Sequence, residues 1–148
     1  MNNNKELFDS LYHRGIRALA RREYSQKELI SLLMRYCCEE EVVYSVIFAL
    51  ANDGALSNKR FASSVCSVKS TNHGAYYIKK FLKAHDIDDA LIVEELKKVQ
   101  NNEPEVASKL IAKRLRQQPS MSPAKQRLFL KNKGFSLDTI NDIFSHKQ

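Results

Sequence analysis

The sequence has no tryptophan, four glycines and three prolines. Punctuating residues this scarce argue against a loop-rich all-β sandwich and for helices. No stretch approaches the roughly 18 consecutive apolar residues of a membrane span, so no membrane association is expected. The opening Met1-Asn2-Asn3-Asn4-Lys5-Glu6 holds no apolar signal core, and the expected compartment is the cytoplasm. Only three cysteines occur, and an odd count argues against a disulfide framework. Cys37 and Cys38 are adjacent, lack the Cys-x-x-Cys spacing and have no nearby histidine. They read as reduced thiols at a helix corner rather than as a zinc or redox site.

Catalytic signatures are missing as well. There is no glycine-rich phosphate loop, no Gly-x-Ser-x-Gly, no His-Glu-x-x-His and no EF-hand. The four histidines (His13, His73, His85, His146) are scattered, and no two share a metal-ligand spacing on one helix. Carboxylates cluster as Glu39-Glu40-Glu41 and Asp88-Asp89, at expected helix starts, where the helix dipole explains them. No enzyme, metal or cofactor is expected; a binding or regulatory module is.

What is present is an ordinary globular balance, 43% hydrophobic and 28% charged, with an excess of base. Lys plus Arg number 24 against 17 acidic residues, a net charge of +7, which suits an anionic partner such as nucleic acid or an acidic protein surface. The excess is uneven: residues 1–54 carry −1, residues 55–102 carry +3 and residues 103–148 carry +5.

Apolar residues recur at helical spacing almost throughout. Phe8, Leu11, Tyr12, Ile16 and Leu19 share a face of a first helix. Ser25 and Glu28 have capping-box spacing ahead of Ile30, Leu32 and Leu33. A third helix holds Val43, Val46, Ile47 and Leu50, with Gly54 as its stop. The pattern restarts with Phe61, Val65 and Val68, then Tyr77, Ile78, Phe81 and Leu82 after Gly74, then Leu91, Ile92, Leu96 and Val99 after Asp88. It restarts again at Pro104, suited to a first helical turn, with Val106, Leu110, Ile111 and Leu115, then Leu128, Phe129 and Leu130, then Ile140, Ile143 and Phe144 behind a Ser136 cap.

Leu33, Leu82 and Leu130 are equivalent in this scheme, as are Cys38, Ile87 and Phe135 at the corner, the caps Glu39, Asp88 and Ser136, and the closing Ile47, Leu96 and Phe144. The spacing defines an all-α chain of three tandem three-helix repeats, 1–54, 55–102 and 103–148. Units too small to bury a core alone are expected to stack into an elongated, curved rod.

Three basic stripes stand out. Arg14, Arg17 and Arg21 lie opposite the apolar face of the first helix. Lys79, Lys80 and Lys83 lie opposite Phe81 and Leu82, with Tyr76 among them. Lys109, Lys113 and Arg116 lie opposite Leu110 and Ile111. Each stripe is either a solvated helix face or a contact surface. An aromatic inside a lysine face makes the second the best contact candidate. Lys79 and Lys83 align with Arg127 and Lys131 of the third repeat but with Ile30 and Met34 of the first. A basic track over repeats two and three follows, with extra apolar surface on the first to meet its neighbour or a protein partner. Arg114 projects toward an apolar face. It either snorkels or bonds carbonyls near the helix end, or it serves as a contact residue in a groove.

Ala18-Leu19-Ala20-Arg21-Arg22-Glu23-Tyr24-Ser25 with Glu28-Leu29, Arg60-Phe61-Ala62, Gly74, and Lys133-Gly134-Phe135-Ser136 with Ile140 together resemble the RecX family of recombination regulators, in order and over most of the chain. Departures are Gly74-Ala75 where the family often has Gly-Pro, Ser57-Asn58-Lys59 where acidic residues are usual, and Cys37 and Asp86 where a glycine is common. Arg60 joins the contact candidates through its segment. The resemblance implies a small cytoplasmic monomer that lies in the groove of a RecA–DNA filament. There it would inhibit ATP hydrolysis, strand exchange and cleavage of the partner repressor, and so modulate recombination, DNA repair and the SOS response. Weak, non-specific contact with single- and double-stranded DNA is expected beside it. The alternative is a helical DNA-binding module that acts on DNA without touching the recombinase. Its lysine-rich faces suit phosphate contact better than base readout.

Overall fold

The structure is a computed structural model that describes residues 3–145; His146 lies outside them. It is all-α, with eight helices among the described residues. The chain forms two compact units, residues up to 64 with 85–87, and residues 65–84 with 88 onward.

The first unit contains α1 (Asn3–Arg21), α2 (Gln26–Met34), α3 (Glu40–Asn52) and the start of α4 (Asn58–Lys69). Leu11, Leu29, Leu33, Val43, Val46, Leu50 and Leu56 form its core. Gly15 is buried because a Cβ there would sit 2.6 Å from Leu50 Cδ1, so the missing side chain lets α1 approach α3. The expected capping box is present. Ser25 Oγ accepts the Glu28 N–H at 3.0 Å and Glu28 accepts the Ser25 N–H at 3.0 Å. Gly54 ends α3 with φ +82°, a conformation glycine adopts without penalty. Ile30 and Met34 are half-buried against this unit's own core, so that apolar surface is covered internally.

Two segments that carried the resemblance meet here. Arg60 holds Glu23 at 3.1 Å and donates to the carbonyls of Gly54 and Ala55 at 2.7 and 3.0 Å. Arg22 pairs with Glu28 at 3.1 Å and lies over the Tyr24 ring.

The second unit contains the rest of α4, α5 (Ala75–Ala84), α6 (Asp89–Gln117), α7 (Pro123–Asn132) and α8 (Leu137–Ser145). Helix α6 packs on α5, α7 and α8. Ala107, Ile111, Leu130, Phe135, Ile140 and Ile143 form one cluster, while Ile78, Leu82, Ile92 and Leu96 are buried nearer α5.

Several expectations are corrected. No helix starts at Pro104, because α6 runs unbroken for 29 residues through Asn101 and Asn102. Proline removes one N–H and frees the Gln100 carbonyl. Both residues are exposed, so water can take that carbonyl. The corner position of the first repeat is filled by Cys37, 8% exposed, and not by Cys38, which is exposed. The linker explains the slip. Asp86 (φ 55°) and Gly134 (φ 90°) turn the later corners through positive φ, whereas no residue of the α2–α3 linker does. Glu39 and Asp88 make no side-chain cap bond; Ser136 does, accepting the Thr139 N–H at 3.1 Å. Ile16, Val68 and Leu128 are exposed. Leu128-Phe129-Leu130 sweep about 200° of helix, so one must face outward.

Candidate partner interface

Val99, Glu103, Ala107 and Ile111 follow one another at i, i+4 along the buried side of α6. Glu103 is thus a carboxylate in an apolar stripe, 4% exposed. Its two oxygens are fully employed: one accepts the Ala75 N–H at 3.0 Å, the other the Ser136 N–H at 2.7 Å. Ala75 begins α5 and Ser136 immediately precedes α8, so one anion satisfies unpaired donors at two helix starts. Backbone bonds complete the junction, from Gly74 N–H to the Lys133 carbonyl at 2.8 Å and from Tyr76 N–H to the Gly134 carbonyl at 3.1 Å. A Cβ on Gly74 would lie 2.4 Å from the Gly134 oxygen, and one on Gly134 would lie 2.5 Å from Tyr77 Cβ. Both glycines are there because backbones touch.

This junction shapes an open groove of about 640 Å³ lined by Tyr76, Tyr77, Lys80, Lys131, Leu137 and Ile140, among others. Tyr76 and Leu137 stand out at its rim, 62% and 70% exposed. The Lys80 ammonium lies 5.3 Å from the Tyr76 ring centre. Tyr77 is covered on one face by the His73 ring, centroids 3.9 Å apart. Burial, helped by Lys133 and Lys69, holds the His73 imidazole below its ordinary pKa. Tyr76 also lines a second, adjoining groove with Lys79, Leu96, Gln100 and Thr139.

The structure therefore gathers Tyr76, Lys80 and Lys131, three of the candidates, at one groove, and puts Lys79 beside them. Lys83 is exposed one turn further along α5. Among the described residues, Lys79, Lys83, Lys113, Arg116 and Lys131 form no ion pair. Lys109 pairs with Glu105 across one helical turn at 3.2 Å. Arg127 bonds Asn141 at 3.0 Å and lies over the Phe144 ring, so its charge is turned along its own surface. Arg114 is half-buried, its guanidinium 5.2 Å from the Phe129 ring centre, and among the described residues its buried Nε has no hydrogen-bond partner.

The remaining candidates belong to the first unit. Arg14 stacks on Tyr36 at 3.8 Å, Arg17 and Arg21 are exposed, and Arg60 is the bracing residue described above. The units differ sharply in charge: the first has nine basic and nine acidic residues, so the entire +7 belongs to the second.

Sequence reasoning passed over Glu103 and Leu137, and read Ile140 only as a buried residue of the last helix. The signal for Glu103 was available as an acid on the Val99–Ala107 stripe. Leu137 had none, since an exposed leucine opening a helix looks like any other.

No family model matches the sequence. Individual proteins do. The chain is 33% identical over 136 residues to the regulatory protein RecX of Chromohalobacter salexigens, covering 89% of both chains. It is 30% identical over 141 residues to RecX of Legionella pneumophila, covering 93% of this chain and 91% of that one. Among solved structures it superposes on RecX from Lactobacillus salivarius with a TM-score of 0.84 at 21% identity, over 96% of this chain and 97% of that one. A further structure of regulatory protein RecX gives a TM-score of 0.82 at 20% identity, over 94% and 73%.

Proposed function

This chain belongs to the RecX family of regulatory proteins, and on that premise we propose that it binds the filament a RecA-type recombinase forms on DNA and restrains it. The observation that carries this reading is the placement of charge. All of the net +7 resides in one unit, where Lys80 and Lys131 line an apolar groove and Lys79, Lys83 and Lys131 form no ion pair among the described residues. A recombinase filament offers what such a face needs, DNA phosphates beside acidic and apolar protein surface. A protein bound across neighbouring protomers hinders the motions needed for turnover. Inhibition of ATP hydrolysis, strand exchange and repressor cleavage then follows from one binding event.

The test is the single-stranded-DNA-dependent ATPase of a RecA-type recombinase titrated with this protein. Inhibition near stoichiometric protein is expected. An unchanged ATPase rate at saturating protein would sink the reading. Binding to bare DNA that falls steeply with salt, without effect on the recombinase, would instead favour a DNA-binding module.

A further inference from the structure

Resting on the proposed filament binding, we infer that the groove between the starts of α5 and α8 receives a protein segment rather than a nucleic-acid strand. That segment presents one apolar anchor side chain flanked by carboxylates, and on the filament it belongs to the recombinase.

The lining decides between the two occupants. A single strand is held by successive aromatic platforms on which bases stack, with cations tracking the phosphates. This groove offers one exposed ring. Tyr76 is exposed, whereas Tyr77 is half-buried with one face against His73, and Phe135 is buried at 4%. The free Tyr76 face also has the Lys80 ammonium close by, at 5.3 Å. Aliphatic surface comes from Leu137 at the rim and Ile140 deeper, beside the polar Asn132 and Ser136. Aliphatic carbon does not stack on bases but packs well on Leu, Phe or Met. About 640 Å³ admits such a side chain with the turn of backbone that bears it.

The charges fit the same occupant. Lys80 on α5 and Lys131 on α7 both line the groove, and Lys79 and Lys83 lie on the same helix as Lys80. Two elements thus bring ammonium groups to the groove around a buried anchor, where carboxylates flanking that anchor meet them. Lys113 and Arg116, exposed and without ion pairs among the described residues, remain available to phosphates.

Site-specific photo-crosslinking on the assembled filament separates the possibilities. Leu137 is replaced by p-benzoylphenylalanine, and the filament is built on labelled single-stranded DNA. A crosslink to the recombinase polypeptide is expected, at an apolar residue with Asp or Glu within a few positions. The Lys80→Glu/Lys131→Glu variant should lose that crosslink and bind the filament about tenfold more weakly. A crosslink to DNA alone overturns the proposal, and so does a peptide without carboxylates. So does the absence of any crosslink while the labelled protein still inhibits the ATPase. If the label itself blocks binding, the probe moves to Tyr76, an aromatic-for-aromatic exchange read by the same criteria. Failure of the unmodified protein to inhibit the recombinase is a different result: it removes the filament reading from which the groove's partner was taken.

Discussion

The carboxylate of Glu103 accepts the Ser136 N–H at 2.7 Å across 33 residues of sequence, and its second oxygen accepts Ala75 28 residues the other way. One side chain thereby fixes the starts of both helices that flank the groove. Its truncation leaves the buried Ala75 N–H and the more exposed Ser136 N–H without this acceptor, and the buried donor alone costs about 1–3 kcal/mol. Glu103→Ala is therefore expected to lower the unfolding free energy by about 1–3 kcal/mol. Glu103→Gln keeps one acceptor and should fall between that variant and the parent. Urea denaturation of the three proteins checks the order, and a parent-like Glu103→Ala would contradict it.

The glycines give a graded series. Gly74→Ala and Gly134→Ala each drive a Cβ within 2.6 Å of backbone or fixed side-chain atoms, and both should destabilise strongly. Gly54→Ala also meets positive φ, but its Cβ finds nothing within 4 Å. It should cost only about 1 kcal/mol, the ordinary price of the left-handed conformation. Melting temperatures read the difference, with Gly54→Ala nearest the parent.

Arg60 was legible in the sequence as a contact candidate, yet the structure employs it in bracing Glu23 and the Gly54-Ala55 carbonyls. Arg60→Ala should lower the stability of the first unit by about 1–3 kcal/mol. At a temperature where it stays folded, it should leave filament inhibition nearly unchanged. Lys80→Glu/Lys131→Glu should do the reverse.

The acid limb of stability has an identifiable contributor. Burial alone would raise the Glu28 pKa, but hydrogen bonds from Arg22 and the Ser25 N–H, with the Arg22 and His85 charges, outweigh it and hold the group below the ordinary carboxylate range. A depressed folded pKa means that the unfolded chain binds the proton more readily. The stabilisation is therefore full above the unfolded value, near pH 4.3, and disappears as pH falls through the folded one. Glu28→Gln should flatten that part of the pH–stability curve while leaving its neutral-to-basic shape intact.

Thiol chemistry distinguishes the three cysteines. Burial, and then Glu95, push the Cys66 thiol up to about 11, whereas Cys38 is exposed. Iodoacetamide at pH 8 should label Cys38 first, with Cys37 and Cys66 protected until unfolding; mass spectrometry gives the order directly.

Local signals carried much of the architecture. Leu33, Leu82 and Leu130, aligned from spacing alone, are each 0% exposed. The Ser25–Glu28 box and the Gly54 stop are complete within a few residues, so their geometry was readable from composition. What stayed hidden depends on distant partners. Pro104 looks like a helix start until α5, α7 and α8 are packed around a continuous α6. Cys37 displaced Cys38 at the corner because the first linker lacks the positive-φ residue of the later two. Of the candidate residues, spacing found Tyr76, Lys80 and Lys131. It did not tell them from Arg127, whose partner Asn141 lies on another helix.

The recombinase ATPase measured against Lys80→Glu/Lys131→Glu and the parent protein bears most directly on the central claim. Near-stoichiometric inhibition by the parent, with about ten times more of the variant needed for the same effect, is the expected result. Equal inhibition by both proteins would contradict the assignment of the groove, and no inhibition by the parent would contradict the function itself.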